Sequence, residues 1–261
     1  MQKVRLDELT SSEVHSLFNS PDIKSGILLP IGSTEQHGPY LPLGCDMLIA
    51  RKSAENLALS LCSNNSYRAV VLPDFSYTPC FGAETLPGSI SVGFDWMGNG
   101  LCEVVKGALN TPWDFVAIVN AHAFNHGRVI ETSIAGIRGH LGRKIPIVIL
   151  NVYAFSQECN RVGLDAGNHA GEFELALYKY YKKDFTPPNY KLSPRQVRKR
   201  PSEIYGLDIM PRSFDGVLAS TPPSVVKAMS KAEELGVRVD NKIKSVLLEN
   251  LNTYFAYWEH K

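Results

Sequence analysis

"GILLPIGSTEQHGPYLPLGCD", Gly26 to Asp46, decides how the rest of the chain is read. It opens on an apolar run over residues 26–31, short enough and apolar enough for a buried strand. A loop broken by glycine and proline follows, carrying Glu35 and His37. It ends at Asp46, where a helical pattern begins over 46–61 with Leu48, Ala54, Leu57 and Leu61 among its apolar positions. A buried strand, a polar loop and a helix are the first half of a βαβ unit.

The same alternation continues outward. Residues 69–73 read as a second strand, 94–109 as a helix, 115–120 as a strand, 127–141 as a helix and 146–152 as a strand. Upstream, Thr10-Ser11-Ser12-Glu13 is a helix start of the capping-box type. Downstream, 171–182 reads as a helix, the stretch to about residue 221 as irregular, and the tail as two helices, 224–235 and 239–258, parted by Gly236. The pattern predicts an α/β fold in three layers, a mostly parallel central sheet flanked by helices, in one domain over 1–261. In such sheets ligands bind beyond the carboxyl ends of the strands. The loops after the first and third strands therefore belong at one edge.

Composition limits the function. Of 261 residues, 44% are hydrophobic and 20% charged, enough for a sizeable core, and the net charge is +1. No global field favours nucleic acid or an anionic membrane, and no apolar run is long enough to span a bilayer. The N-terminal stretch lacks the apolar core of a signal peptide. Five scattered cysteines without a CxxC pair suit reduced thiols, so a cytoplasmic location is expected.

Three clusters carry chemistry. Glu35, His37 and Asp46 offer oxygen and imidazole donors of the kind that suit zinc, manganese or iron, although an acid and a histidine beside a proline turn need no metal. In "VNAHAFNHG", Val119 to Gly127, His122 is the natural ligand, and Asn120 and Asn125 can tie the loop down. In "GNHAGEFELALY", Gly167 to Tyr178, His169, Glu172 and Glu174 gather at a helix start, where carboxylates also suit the dipole. Positions 172 and 174 lie about 200° apart round a regular helix, so both face one site only if the first turn is irregular. In 81–93 Glu84 is a candidate substrate contact.

Blocks "LPIGSTEQHGPYLPLGCD", "NAHAFNHG" and "HAGEFE" resemble, in order and spacing, the signature blocks of the creatininase (creatinine amidohydrolase) family. The resemblance implies a two-metal hydrolase and a homo-oligomer, commonly a hexamer. Family activities include creatinine ring opening, deformylation of a pyrimidine intermediate, trimming of a peptide precursor of a redox cofactor and hydrolysis of a cyclic sugar derivative. Carried over, Glu35, Asp46 and His122 resemble the ligands of one metal. His37, Asp46 and Glu174 resemble those of the other, with Asp46 bridging, and His169 matches the catalytic histidine. Phe124 stands where creatinine-hydrolysing members carry a glutamate, and Glu172 where they carry an apolar residue. The tryptophan wall before the catalytic histidine is missing from 165–168. These departures argue against creatinine as substrate and make Phe124 a candidate pocket residue. The expectation is a two-metal amidohydrolase acting on a cyclic amide or formamide of a small molecule, with Glu172 taking the water's proton and His169 protonating the departing nitrogen. The alternatives are a peptidase that trims a cofactor precursor and a non-catalytic, metal-stabilised family member.

Overall fold

Four strands, β1 (Lys24–Ile31), β2 (Tyr67–Val71), β3 (Phe115–Asn120) and β4 (Ile147–Asn151), form one sheet in the order β2-β1-β3-β4 with every neighbour parallel. The structure, a computed structural model, describes residues 3–20, 22–63, 66–80, 83, 84, 86–122, 130, 131, 133, 135, 137, 145–165, 169–189 and 224–259. Phe124, Asn125 and the basic run 195–200 lie outside these residues. The strands fall within a few residues of their expected bounds because continuous apolar runs are the mark of strands buried on both faces.

Alternate residues feed two cores. Ile27, Leu29, Ile31, Val116 and Ile118 pack with Met97, Leu101 and Val105 of α3 (Phe94–Ala108). Leu28, Val71, Phe115, Ala117 and Val119 pack on the opposite face. There they meet α2 (Cys45–Cys62) and, after the short α4 (Glu158–Val162), α5 (Glu172–Tyr181) and α6 (Val225–Glu259). Each fully buried aliphatic side chain contributes about 1.5–3 kcal/mol. The three-layer reading holds: a parallel sheet lies between two helical layers. The first helix, α1 (Ser11–Ser16), begins at Thr10, whose side chain accepts from Glu13 N at 3.2 Å while Glu13 Oε2 accepts from Thr10 N at 2.6 Å.

Pro30 lies within a central strand, where a missing N–H ought to break the ladder. Its carbonyl accepts from Phe75 N at 2.9 Å, on the same side as Leu28 O, which accepts from Leu72 N. The lost donor would therefore face the β2 side beyond Val71, where β2 has already ended.

The tail departs from expectation. Gly236 does not divide it; α6 runs unbroken over 35 residues. The glycine serves a close approach instead. A Cβ there would sit 2.0 Å from Cγ of Tyr180 on α5. Buried Ala228, Ala232, Leu235, Val239, Ile243, Leu247 and Leu251 form a continuous apolar stripe along α6 that outweighs the helix-interior cost of one glycine, about 1 kcal/mol.

Gly236→Ala is thus expected to destabilise the protein by about 1–3 kcal/mol through overpacking against Tyr180, despite the better helix propensity of alanine. Urea denaturation checks this; a midpoint equal to or above that of the parent would show that the tyrosine ring gives way freely.

Candidate metal centre

The site forms where β1 and β3 end and where α2 and α5 begin. Beyond β1 the chain turns at Gly32, where a Cβ would lie 2.7 Å from the backbone of Asp46 and Met47. Glycine at this point lets the loop rest directly on the first turn of α2. Segments 75–80 and 86–92 hold that loop. Gly32 N donates to Phe75 O at 3.2 Å, Ile90 N to Thr34 O at 2.9 Å and Gln36 N to Ser89 Oγ at 3.0 Å. Beyond β3, Asn120 holds its own loop, donating from Nδ2 to His122 O at 3.0 Å and accepting from His122 N at 3.2 Å.

Asp46 is the meeting point. It is fully buried in the first turn of α2. Its Oδ1 lies 3.0 Å from His37 Nε2 and its Oδ2 lies 2.7 Å from His122 Nδ1. Both imidazoles are fixed from outside. His37 Nδ1 lies 3.0 Å from Glu35 O, and His122 Nε2 lies 3.3 Å from Pro79 O. A carbonyl can only accept, so each outer nitrogen carries the hydrogen and each inner nitrogen faces the carboxylates. This is the arrangement in which histidines are presented to metals.

Donor atoms of Glu35, Asp46 and His122 lie within 4.8 Å of one another, as do those of His37, Asp46 and Glu174 and those of Glu35, His37 and His169. Glu174 Oε1 is 3.5 Å from His37 Nε2 and also accepts from the Tyr153 hydroxyl; its Oε2 accepts from Ala170 N. Glu35 Oε1 is buried without a hydrogen-bonding partner. His122 Nδ1 lies 3.0 Å from it, but that nitrogen has one hydrogen, already aimed at Asp46. An orphaned carboxylate oxygen costs about 1–3 kcal/mol or more, and a cation in this cage would satisfy it. The residues present fit a pair of divalent ions.

Charge follows the same geometry. Burial alone would lower both the His37 and the His122 imidazole. For His37 the Asp46 and Glu174 charges reverse this and raise it well above its ordinary value; for His122, Glu35 and Asp46 raise it to about 10. Burial pushes Asp46 up, but His37 and His122 outweigh it and hold the carboxylate far below its usual range. In Glu35 burial is the largest single effect and pushes upward, but the charge and hydrogen bonding of His122 and the charge of His169 together outweigh it and the net shift is downward, whereas burial wins at Glu174 and the shift is upward. His169 goes the other way, down to about 4, through burial and the neighbouring His37 charge. Its ring lies 4.2 Å from the His37 ring, tilted by 47°. Its Nε2 meets Gln36 O, and Nδ1 lies 3.7 Å from Glu35 Oε1. Ala170, next in the chain, has φ 57°, a left-handed value that alanine adopts at a cost of about 1–2 kcal/mol.

The structure gathers Glu35, His37, Asp46, His122, His169 and Glu174, and leaves Glu172 apart. Glu172 does not turn toward the cage: Oε2 accepts from Asp165 N and Oε1 from Ser224 N, both at 2.9 Å. The first turn of α5 offers one glutamate to the site, and the 200° separation sends the other to the segment before His169. Glu84 lies exposed in a turn. Sequence reasoning missed Tyr153, although it stands just beyond the end of β4, at the edge where the other site residues gather. Nothing in the sequence marks the Pro79 carbonyl.

A sequence profile for the creatininase family, described as creatinine amidohydrolase, matches residues 7–233. A mycofactocin precursor peptide peptidase from Mycolicibacterium smegmatis is 33% identical over 176 residues, 67% of this chain and 63% of that protein, so the match spans somewhat less than two thirds of the relative. A solved structure described as creatinine amidohydrolase (creatininase) is similar with a TM-score of 0.74 over 96% of this chain and 99% of that one, at 18% identity. Another, described as "Creatininase Mn", gives 0.73 over 95% and 99%, also at 18%. At that identity the structural likeness speaks for the fold alone.

In the metal-free chain the inner nitrogens of His37 and His122 carry protons that a cation must displace. Uptake of a divalent ion is therefore expected to release about one proton per imidazole and to tighten by roughly tenfold per pH unit for each, until the pH nears the His122 value of about 10. Calorimetry in buffers of different ionisation enthalpy counts these protons. Binding that is flat with pH and releases none would contradict this protonation pattern.

Proposed function

The chain belongs to the creatininase family, and on that footing we propose that it is a two-ion hydrolase that cuts an amide-type C–N bond, with a short peptide as its substrate class. The observation that carries the reading is Asp46, fully buried, with one oxygen toward each of two imidazoles locked from outside by backbone carbonyls. Glu35, Asp46 and His122 would hold one ion, and His37, Asp46 and Glu174 the other. Zinc, manganese or iron suits this mixed nitrogen and oxygen set, and would supply Lewis acidity that polarises a carbonyl and acidifies a water.

The chain's own residues do the rest. In the metal-free chain burial and the His37 charge lower His169 to about 4; with His37 bound to an ion, burial and the nearby cations would keep it neutral near neutral pH in the same way. It accepts the proton given up as the water oxygen bonds to the carbonyl carbon. It returns that proton to the nitrogen as the C–N bond breaks, so no proton is gained or lost overall. Its contact with Gln36 O and the left-handed turn at Ala170 fix the ring beside His37, within reach of both events. Glu172, engaged by two backbone amides, steadies the segment before His169.

The peptide class is supported by the Mycolicibacterium smegmatis relative. A cyclic amide or formamide of a small molecule is the second reading. It is favoured by burial: among the six gathered side chains His169 alone is partly exposed, so a small amide reaches the cage as readily as a chain end. A cytoplasmic location fits the five free cysteines and the absence, among the described residues, of a helix long and apolar enough to cross a membrane.

Asp46→Asn is expected to lose most bound metal and to lower turnover by about 100-fold or more, while His169→Gln keeps the metal and loses about 10²–10⁴ in rate. Elemental analysis, with assays on short peptides, lactams and formamides, measures both. Full activity in Asp46→Asn would end the shared-ligand reading, and undiminished turnover in His169→Gln would place the proton carrier elsewhere. Turnover confined to lactams or formamides would overturn the peptide class in favour of the second reading.

A further inference from the structure

Away from the cage, the two helices that carry Asp46 and Glu174 meet a second time. Seven residues on from Asp46, α2 presents Ser53; seven residues on from Glu174, α5 presents Tyr181. Seven residues fall within about 20° of two full turns, so each pair lies on one stripe of its helix, about 10 Å apart along the axis. The two stripes face each other. At one end Asp46 and Glu174 both reach His37 Nε2, at 3.0 and 3.5 Å. At the other, Ser53 Oγ and the Tyr181 hydroxyl are 2.8 Å apart.

Asp240 of α6 closes that far end. Its Oδ1 accepts from the Tyr181 hydroxyl at 2.6 Å; its Oδ2 accepts from the Tyr180 hydroxyl at 2.9 Å and from Asn56 Nδ2 of α2 at 2.8 Å. Burial and the Asp240 charge push both phenols up, so they remain donors. Gly236, one turn earlier on the same face of α6, admits the Tyr180 ring and brings the carboxylate within reach. One side chain thus bonds to both helices that supply acidic ligands.

We propose that Asp240 is a positioning residue for the His37–Asp46–Glu174 ion: by binding α2 through Asn56 and α5 through Tyr180 and Tyr181, it fixes the separation of Asp46 and Glu174 two to three turns away. This rests on the two-ion reading above. It carries a selectivity that simple destabilisation lacks. The His37–Asp46–Glu174 group draws a ligand from each helix, whereas Glu35, Asp46 and His122 draw only on α2 among the helices.

The experiment is calorimetric titration of the metal-free 261-residue chain with Mn²⁺, for the parent, Asp240→Asn and Tyr181→Phe. Glu174→Gln identifies, by its loss, which binding step belongs to the His37–Asp46–Glu174 ion. Both variants are expected to weaken that step, Asp240→Asn by at least about tenfold and Tyr181→Phe by several-fold, while the other step shifts by less than about threefold. Two steps that weaken together, or that match the parent while only the melting temperature falls, would overturn the positioning role. Should Asp240→Asn fail to fold, Tyr181→Phe decides, since it removes one hydroxyl and keeps the ring. A parent chain that takes fewer than two ions would instead overturn the two-ion reading, and this inference with it.

Discussion

The constraint on which this structure depends is the burial of charge around Asp46. Three carboxylates and three imidazoles sit within one cage, most of them all but inaccessible to water. Desolvating that many ionisable groups costs several kcal/mol each unless partners compensate. In the metal-free chain the compensation is protons on His37 and His122. With the two divalent ions proposed here, the imidazoles would be neutral and the cations would balance the carboxylates directly. One set of atoms can serve both states because the outer nitrogens of His37 and His122 are committed to backbone carbonyls, and so the rings need not turn.

That arrangement depends on topology. The stretch that carries Glu35 and Asp46 is far in sequence from His122 and from Glu174, yet each of these residues lies just after a strand or at the start of a helix. In a parallel sheet with right-handed crossovers those places share one edge. The helix N-termini add partial positive charge beneath Asp46 and Glu174, the two carboxylates borne on helices. Gly32 removes the one side chain that would keep the β1 loop off α2.

Much of this was legible in the sequence, for identifiable reasons. Apolar runs give strands buried on both faces, and 3.6-residue periodicity gives the helices; histidines and acids in turn-rich loops stand out because such loops rarely need them. What escaped was whatever depends on a remote partner. Gly236 reads as a break until the Tyr180 ring is placed against it. Glu172 and Glu174 are equivalent as letters, and only the phase of α5 assigns one to the cage and the other to backbone amides. The carbonyls of Glu35 and Pro79 have no residue signature, because any residue supplies a carbonyl. Glu84 stands out by residue type alone, and it lies in an exposed turn.

His122 and His169 show why residue type cannot assign roles inside such a cage. Both are buried or nearly so, and burial alone lowers both. His122 has two carboxylates at its inner nitrogen, and they raise it to about 10; His169 has a carbonyl at one nitrogen, a more distant carboxylate at the other and the His37 ring alongside, and falls to about 4. An imidazole clamped between carboxylates is suited to hold a cation, since the same charges that bind its proton will bind a metal. One held neutral beside the cage, by a strained backbone turn, keeps a lone pair free to take a proton and give it back. The proposed division of labour between ligand and proton carrier therefore rests on what each ring faces, and the left-handed turn at Ala170 helps to fix what His169 faces.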